Sequence, residues 1–162
     1  FPFFQQLELL FPGNSVNSAS AEQFENMKLE GFFNERLSGE VRETLAYLRG
    51  KGIFVAVSSN NFQELVEKFV KRENAVYFDE VLGARENFFK GKDHFDYMKE
   101  RYYLNEHDIL FIGDSLKDAE KAVSCGIAFV AKLGTFRQSD FRKLYPDVMT
   151  INSISDLKGI VL

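Results

Sequence analysis

From Leu37 onward, the apolar positions of the chain alternate between helical spacing and short continuous runs. Apolar residues three or four positions apart predict helices packed on one face, whereas short continuous runs are typical of strands buried on both faces. The two clearest runs are Ile53–Val57 and Ile109–Ile112. Helical stretches separate the predicted strands at the spacing of right-handed crossovers. The alternation therefore predicts a Rossmann-like three-layer α/β fold with a parallel sheet.

The remaining elements follow from the same pattern. Shorter apolar stretches predict three more strands, at 76–82, 127–131 and 147–151. Helices are predicted between the strands, over Leu37–Leu48, 62–70 and 93–102, through Ala119 to a stop at Gly126, and over Ser139–Tyr145. Asn60 or Asn61 is the predicted cap of the second helix, because both side chains can accept a bond from a free backbone amide.

Residues 1–36 follow a different pattern from the rest of the chain. Polar, loop-forming residues occupy Pro12–Ser15 and Ser18–Ser20, and phenylalanines are scattered behind them. This change predicts an N-terminal segment, 1–36, that is separate from an α/β core at 37–162.

Composition and charge exclude several classes of partner. The formal net charge is −4 and basic residues do not cluster, so binding to nucleic acid is not expected. No apolar stretch approaches the roughly 20 residues that a membrane span needs, so no membrane partner is expected either. Cys125 is the only cysteine, which excludes an internal disulfide and a thiolate metal cluster. These observations indicate a cytoplasmic protein.

Small polar residues follow the two clearest strands abruptly. Ser58–Asn60 comes after the first strand and Gly113–Ser115 after the second. Ligands of open parallel sheets bind beyond the carboxyl ends of the strands. A hydroxyl group and the amides of a helix start can hold a phosphate, and a carboxylate can hold Mg²⁺. The sequence therefore places a candidate site at these two strand ends.

Lys90–Lys92 lies between these two stretches as a basic turn before a helix, where an ammonium group could reach a phosphoryl oxygen. Each element alone has an ordinary explanation, because Ser and Asn commonly cap helices and lysines are usually solvated. Their order along the chain favours a shared site. His94 and His107 have no partners at metal-ligand spacing, and we expect both at the surface.

The ordered motifs resemble those of the haloacid dehalogenase superfamily, in its phosphoglycolate phosphatase-like group. Ile53–Asn60 is similar to the second motif, an apolar strand ending in Ser or Thr. Lys92, before an amphipathic helix, resembles the third motif. Ile109–Ala119 is similar to the fourth, which reads Gly-Asp-Ser-x-x-Asp and is the most specific of the set. The resemblance covers residues 37–162.

This resemblance implies a Mg²⁺-dependent phosphatase that hydrolyses the phosphomonoester of a small phosphorylated metabolite through aspartyl-phosphate chemistry. It implies that Asp114 holds Mg²⁺, with Asp118 as second ligand or supporting acid. Positive charge gathered around a phosphoryl group is the strategy expected for such a reaction.

The resemblance also implies the groups that bind phosphate. Ser59 and the backbone amide of Asn60 would hold the transferring phosphoryl group. Lys92 would neutralise its charge, and Lys90 takes this role instead if the register is shifted by two residues.

The first motif of the family, Asp-x-Asp-Gly, has no counterpart in the sequence. No Asp-x-Asp occurs anywhere, and the first aspartate of the chain is Asp79. The first Asp of the motif is the nucleophile, and the second is the general acid and base. We therefore expect this chain alone to be inactive.

Two explanations of this absence remain open. In the first, residues 1–36 are the remnant of a helical cap, and the strand with the nucleophile lies outside the sequence. In the second, Leu7–Ser18 is a degenerate first strand and loop, and the protein is an inactive phosphate- or partner-binding module. In the family, the first strand lies between the strands ending at Ser59 and Asp114. Leu7–Phe11, a missing N-terminal segment or a partner chain would have to complete the sheet there.

Overall fold

The computed structural model describes residues 3–73 and 76–160 of the chain. The chain divides into two compact units, residues 1–36 and residues 37–162. Each unit is described by itself below.

From residue 3 onward, the first unit is described as two helices, α1 (Phe3–Leu10) and α2 (Asn17–Asn34), joined by a turn. Buried Asn17 fastens this turn, because its side-chain amide donates to the Glu8 carboxylate at 2.6 Å and to the Phe11 carbonyl at 2.8 Å. The prediction that Leu7–Phe11 could form a first strand is wrong, since this stretch is helical through Leu10. The Glu8 carboxylate stabilises the helical conformation by also accepting a bond from the turn backbone.

The second unit contains a sheet of parallel strands. The strands are β1 (Ala56–Phe62), β2 (Glu80–Ala84), β3 (Leu110–Gly113), β4 (Ala128–Lys132) and β5 (Met149–Ile151). Every pairing between these strands is parallel, and helices connect them. The predicted α/β fold is therefore confirmed. Strands β3 and β4 lie within one residue of the predicted positions, whereas β1 and β2 begin three and four residues later than the apolar runs indicated.

The sheet is in two parts. One part pairs β1 with β2, and the other has the order β3-β4-β5. Among the described residues, no backbone ladder joins β1 to β3. Each of these two strands consequently has one edge whose amides and carbonyls pair with no other described strand. This is the position that the family resemblance gives to the first strand.

Among its described residues, the second unit has five helices that accompany the strands. They are α3 (Gly39–Gly50), α4 (Gln63–Arg72), α5 (Lys92–Tyr102), α6 (Leu116–Ser124) and α7 (Gln138–Leu144). Short 3₁₀ helices cover Glu106–Asp108 and Ile154–Gly159. Within residues 3–73 and 76–160, every helix is too short or too polar to cross a membrane.

Three clusters of buried side chains hold the helices against the strands. The largest contains Leu45, Leu48, Val55, Val130, Ile151 and Leu157. A second consists of Phe95, Phe111, Ala122 and Ile127, and a third of Ala119, Ala131 and Phe141. Burying one large apolar side chain contributes about 1.5–3 kcal/mol, so these clusters are the main stabilising element of the unit.

Helix α5 is attached to β2 through two tyrosines. The hydroxyl groups of Tyr97 and Tyr102 donate to the same oxygen of Glu80, at 3.2 and 2.6 Å. Near the helix end, the ammonium group of Lys99 donates to the Glu106 carboxylate at 2.9 Å. The helix that follows the basic turn is thus fixed against the sheet along its second half.

The start of α4 differs from the prediction. Strand β1 begins at Ala56 rather than Ile53 and continues through Phe62, so the helix starts later than expected. Neither Asn60 nor Asn61 is the cap; the cap position is Phe62, which makes no side-chain capping bond. The polar residues predicted to end the strand are instead part of it.

Candidate functional site

The carboxyl end of β1 contains a bulge. Between Ser58 and Phe62, the register advances by four residues on β1 for two residues on β2. The three residues between them, Ser59–Asn61, fall outside the register pairs. Bulges of this kind redirect side chains and are frequent beside functional sites. Within the bulge, the Asn61 amide donates to the Ser59 hydroxyl oxygen at 3.1 Å, and Asn60 is exposed.

The carboxyl end of β3 leads directly into α6. Ser115 caps this helix, because its hydroxyl oxygen accepts a bond from the Asp118 amide at 3.1 Å. Asp114 lies just before the cap, is exposed, and makes no ion pair with another described residue. The sequence reasoning allowed an ordinary helix cap here, and the structure assigns that role to Ser115. The carboxylate of Asp114 remains accessible.

Lys90 and Asp118 form an ion pair between the basic turn and α6. The ammonium nitrogen lies 2.8 Å from a carboxylate oxygen, and the two side chains are only 15% and 5% exposed. The same nitrogen lies 5.5 Å above the Phe111 ring. An ammonium group held between a carboxylate and an aromatic face is fixed in position, with little freedom to be solvated elsewhere.

A glycine at the end of β3 makes room for Asp118. A Cβ atom at Gly113 would lie 2.5 Å from the Asp118 Cβ, which is closer than real contacts allow. The backbone of β3 and the first turn of α6 can therefore approach only because position 113 has no side chain. Local packing against Asp118 therefore explains why the first residue of the Gly-Asp-Ser-x-x-Asp pattern, Gly113, is a glycine.

A second glycine shapes the basic turn. Gly91 has φ 115°, a backbone conformation that side chains rarely adopt, and it directly precedes α5. The Lys121 side chain packs against this glycine. Burial, and next the neighbouring charge of Lys90, lower the pKa of Lys121. Two cationic side chains therefore lie close together at this turn, an arrangement that favours an anion.

Lys92 points away from the Lys90–Asp118 ion pair. It lies in the first turn of α5, is 76% exposed, and pairs with Asp96 one helical turn later. That hydrogen bond is the main reason why the pKa of Lys92 is raised. Of the two lysines that the sequence reasoning considered, the structure brings Lys90, and not Lys92, to Asp118. A spacing of four residues between Lys92 and Asp96 was the signal that could have indicated a solvent-facing pair.

His94 is buried, so its prediction as a surface residue is wrong. Its side chain is 1% exposed; Nδ1 lies 2.8 Å from the Ser58 hydroxyl oxygen and Nε2 lies 3.2 Å from the Gly83 carbonyl oxygen. Burial lowers the pKa of His94 to about 4. Both ring partners lie far away in sequence, and no local pattern indicated them. His107 is exposed, as expected.

The described residues fit a divalent cation only in part. Two carboxylates, Asp114 and Asp118, lie around the end of β3, and oxygen donors suit a hard cation such as Mg²⁺. Asp118 is already paired with Lys90. Residues 3–73 and 76–160 contain no group of three His, Cys, Asp or Glu side chains arranged to hold a metal ion. Further oxygen ligands would have to come from elsewhere.

A family model described as haloacid dehalogenase-like hydrolase matches residues 15–132 of the chain. The curated proteins include no significant match. Among solved structures, the chain is 25% identical to a predicted phosphoglycolate phosphatase from Haemophilus somnus, with a TM-score of 0.74, over 90% of this chain and 67% of that one.

Two further structures share the fold at lower identity. A haloacid dehalogenase-like family hydrolase from Streptococcus pneumoniae is 17% identical, with a TM-score of 0.80, over 100% of this chain and 77% of that one. A proposed phosphoglycolate phosphatase from Lactobacillus delbrueckii subsp. bulgaricus is 23% identical, with a TM-score of 0.67, over 76% of this chain. The chain spans 53% of the length of that protein.

Proposed function

Because the chain belongs to the haloacid dehalogenase-like hydrolase family, we propose that it binds the phosphoryl group of a small phosphorylated metabolite for Mg²⁺-dependent phosphomonoester hydrolysis. The observation that carries the proposal is the Lys90–Asp118 ion pair beside the end of β3. Asp118 belongs to the stretch that resembles the fourth motif, and Lys90 is the alternative to Lys92 for the lysine of the third motif. We place the reaction in the cytoplasm, as the cysteine content suggests.

The β1 bulge and the basic turn supply the proposed phosphate ligands. Ser59 would donate its hydroxyl group and Asn60 its backbone amide, because both lie outside the register pairs with β2. Lys90 would neutralise the phosphoryl charge, since its ammonium group is held at the site by Asp118. Lys92, which the family resemblance first suggested, is supported less well because it pairs with Asp96 on the exposed side of α5.

Asp114 would hold Mg²⁺, with Asp118 in support. The exposed carboxylate of Asp114 follows β3 directly and makes no ion pair with a described residue. When bound, the ion would supply positive charge to the phosphoryl oxygens. Asp118 keeps Lys90 in place whether or not it also contacts the ion.

The nucleophile is not among the 162 residues, because the sequence contains no Asp-x-Asp. We propose that a strand from a further segment of the protein, or from a partner chain, lies between β1 and β3 and supplies it. The open edges of these strands support this position. This chain by itself would bind phosphate without forming an aspartyl-phosphate.

The absent Asp-x-Asp also favours a second candidate function. In this alternative the protein is an inactive family member that binds a phosphorylated ligand or a protein partner. The phosphate-binding residues proposed above serve both candidates, so turnover is what distinguishes them.

The test uses the protein expressed from its complete gene, assayed with p-nitrophenyl phosphate in Mg²⁺ and in EDTA. The phosphatase proposal expects turnover in Mg²⁺ only, and a loss of about 100-fold or more in kcat for Asp114→Asn. Lys117→Ala, on the exposed face of α6, is the matched control and should leave kcat unchanged. Phosphate binding without turnover would support the inactive module, and absence of both would refute the phosphatase and the phosphate-binding form of the module.

The affinity for inorganic phosphate, measured by calorimetry, distinguishes the two lysines. Lys90→Ala should lower phosphate affinity by about tenfold or more, because it removes the charge next to the proposed phosphoryl position. Lys92→Ala should change this affinity less than about twofold, since its side chain is mainly solvated. The reverse result would return the phosphate-facing role to Lys92.

A further inference from the structure

We propose that His94 is a positioning residue for the phosphate site: through Ser58 it fixes the β1 bulge relative to the turn that carries Lys90. The proposal rests on the phosphate-binding function proposed above. Neither the sequence motifs nor the family resemblance assigns a role to this histidine.

The hydrogen bonds of His94 define its tautomer. The Gly83 carbonyl oxygen can only accept, so Nε2, at 3.2 Å, must carry the proton and donate it. In a neutral ring Nδ1 is then an acceptor, and the Ser58 hydroxyl group, at 2.8 Å, must donate to it. The direction of donation is thus fixed: Ser58 donates to His94, and His94 donates to Gly83.

This chain of hydrogen bonds gives two adjacent serines different tasks. The hydroxyl proton of Ser58 is committed to His94. Successive residues of a strand point to opposite faces, and Ser59 lies in the bulge outside the register pairs. Of these two serines, only Ser59 therefore has a hydroxyl proton available for a phosphoryl oxygen. Its neighbour Ser58 is held in place by the hydrogen bond to His94.

His94 also links the two sides of the site. It lies in the first turn of α5, four residues after Lys90, and reaches across to β1 and to the end of β2. The Phe88 ring, whose centroid is 4.7 Å from that of His94, packs against it and limits its movement. Displacement of the His94 ring would change the distance between Ser59 and the ammonium group of Lys90.

The neutral state required by this geometry agrees with the surroundings of the ring. Burial is the main cause of the lowered pKa of His94, and the charges of Arg85 and Lys121 act in the same direction. The Gly83 hydrogen bond and the charge of Asp93 oppose it more weakly. The His94 ring is thus neutral at pH 7.

The first test observes the tautomer directly. The chain has two histidines, so a long-range ¹H–¹⁵N spectrum of the full chain contains two imidazole patterns, which His107→Gln assigns. We expect His94 as the neutral tautomer protonated at Nε2. A ring protonated at Nδ1, a charged ring at pH 7, or fast exchange between tautomers would overturn the proposal.

The second test measures the affinity of the full chain for inorganic phosphate by calorimetry. His94→Leu removes both hydrogen bonds and should weaken binding by about tenfold. His94→Gln keeps an acceptor and a donor and should restore the affinity to within about threefold of the original. Phe141→Leu, a buried substitution in the third apolar cluster, controls for loss of stability and should bind phosphate normally.

The outcomes separate this proposal from the proposed function. If the unaltered chain does not bind phosphate, the proposed function fails, while the tautomer still tests the Ser58–His94–Gly83 contacts. If the unaltered chain binds and His94→Leu binds equally well, the positioning role is refuted and the proposed function stands. Should His94→Leu not fold, Ser58→Ala removes the donor alone and is expected to weaken phosphate binding severalfold; unchanged affinity would refute the role.

Discussion

The ammonium group of Lys90 lies 2.8 Å from the carboxylate of Asp118, with both side chains largely withdrawn from water. This ion pair connects the turn before α5 to the first turn of α6. Lys92, two residues further on, pairs with Asp96 on the solvent-facing side of α5. The two lysines therefore form a natural comparison between a buried and an exposed ion pair.

We expect Lys90→Met to reduce the free energy of unfolding by roughly 3 kcal/mol, because it leaves the buried Asp118 carboxylate without its partner. Lys92→Met should change the free energy of unfolding by less than about 0.5 kcal/mol. Urea unfolding at pH 7 measures both. Similar losses for the two variants would contradict the difference in burial, and Lys90→Met/Asp118→Asn should recover part of the loss.

Replacing Gly113 by Ala should destabilise the protein by about 1–3 kcal/mol, because the new Cβ would overlap the Asp118 side chain. Gly134→Ala is the matched control, since no atom lies within 4 Å of the position of its Cβ. Urea unfolding should show a loss for the first variant only. A neutral Gly113→Ala would mean that β3 and α6 can separate without loss of stability.

His94 should make stability depend on pH. Its folded-state pKa, about 4, lies below the ordinary value of 6.5, so between these values the unfolded chain binds a proton that the folded chain does not. The contribution of His94 to the free energy of unfolding is fully present above pH 6.5. It falls as the pH decreases towards 4, by at most about 3 kcal/mol. His94→Gln should show a smaller loss between pH 7 and 4.5 in urea unfolding. His107→Gln should retain the full loss; equal curves for all three proteins would exclude His94 as the cause.

Tyr102 should ionise only at high pH. Its hydrogen bond to Glu80 is the main cause that raises the pKa of Tyr102 to about 12. The resulting stabilisation is present below the unfolded pKa of about 10 and is lost as the pH rises through the folded value. Titration of the ultraviolet absorbance should show one late tyrosine, which disappears in Tyr102→Phe. A titration completed near pH 10 in the unaltered protein would contradict this assignment.

The sequence predicted the alternation of elements well, because strand and helix burial follow from local periodicity. It predicted less well where a strand stops. The apolar run Ile53–Val57 predicted a buried strand, but the strand begins only at Ala56, and the polar residues Ser58–Asn61 continue it as a bulge. Polarity after a buried run was interpreted as a helix cap, although here it belongs to the strand and to the candidate site.

The least predictable features depend on residues far apart in the chain. The burial of His94 requires Ser58 and Gly83 as partners, and the ion pair of Lys90 requires Asp118. Helical and strand periodicities carry no information about such distant pairs. Motif order could indicate that a lysine belongs to the site, while the choice between the two lysines depended on their ion-pair partners, Asp118 for Lys90 and Asp96 for Lys92.

Helix α5 is held at both ends, by His94 in its first turn and by Tyr97 and Tyr102 in its second half. The short turn before the helix, 89–91, is held as well, because the Phe89 amide donates to the Asp93 carboxylate at 2.9 Å and Lys90 pairs with Asp118. Ordering a residue costs about 1–2 kcal/mol of backbone entropy, and folding has already ordered this turn together with the helix. A ligand that engages Lys90 would therefore immobilise little further backbone, and its affinity would depend little on further loss of chain entropy.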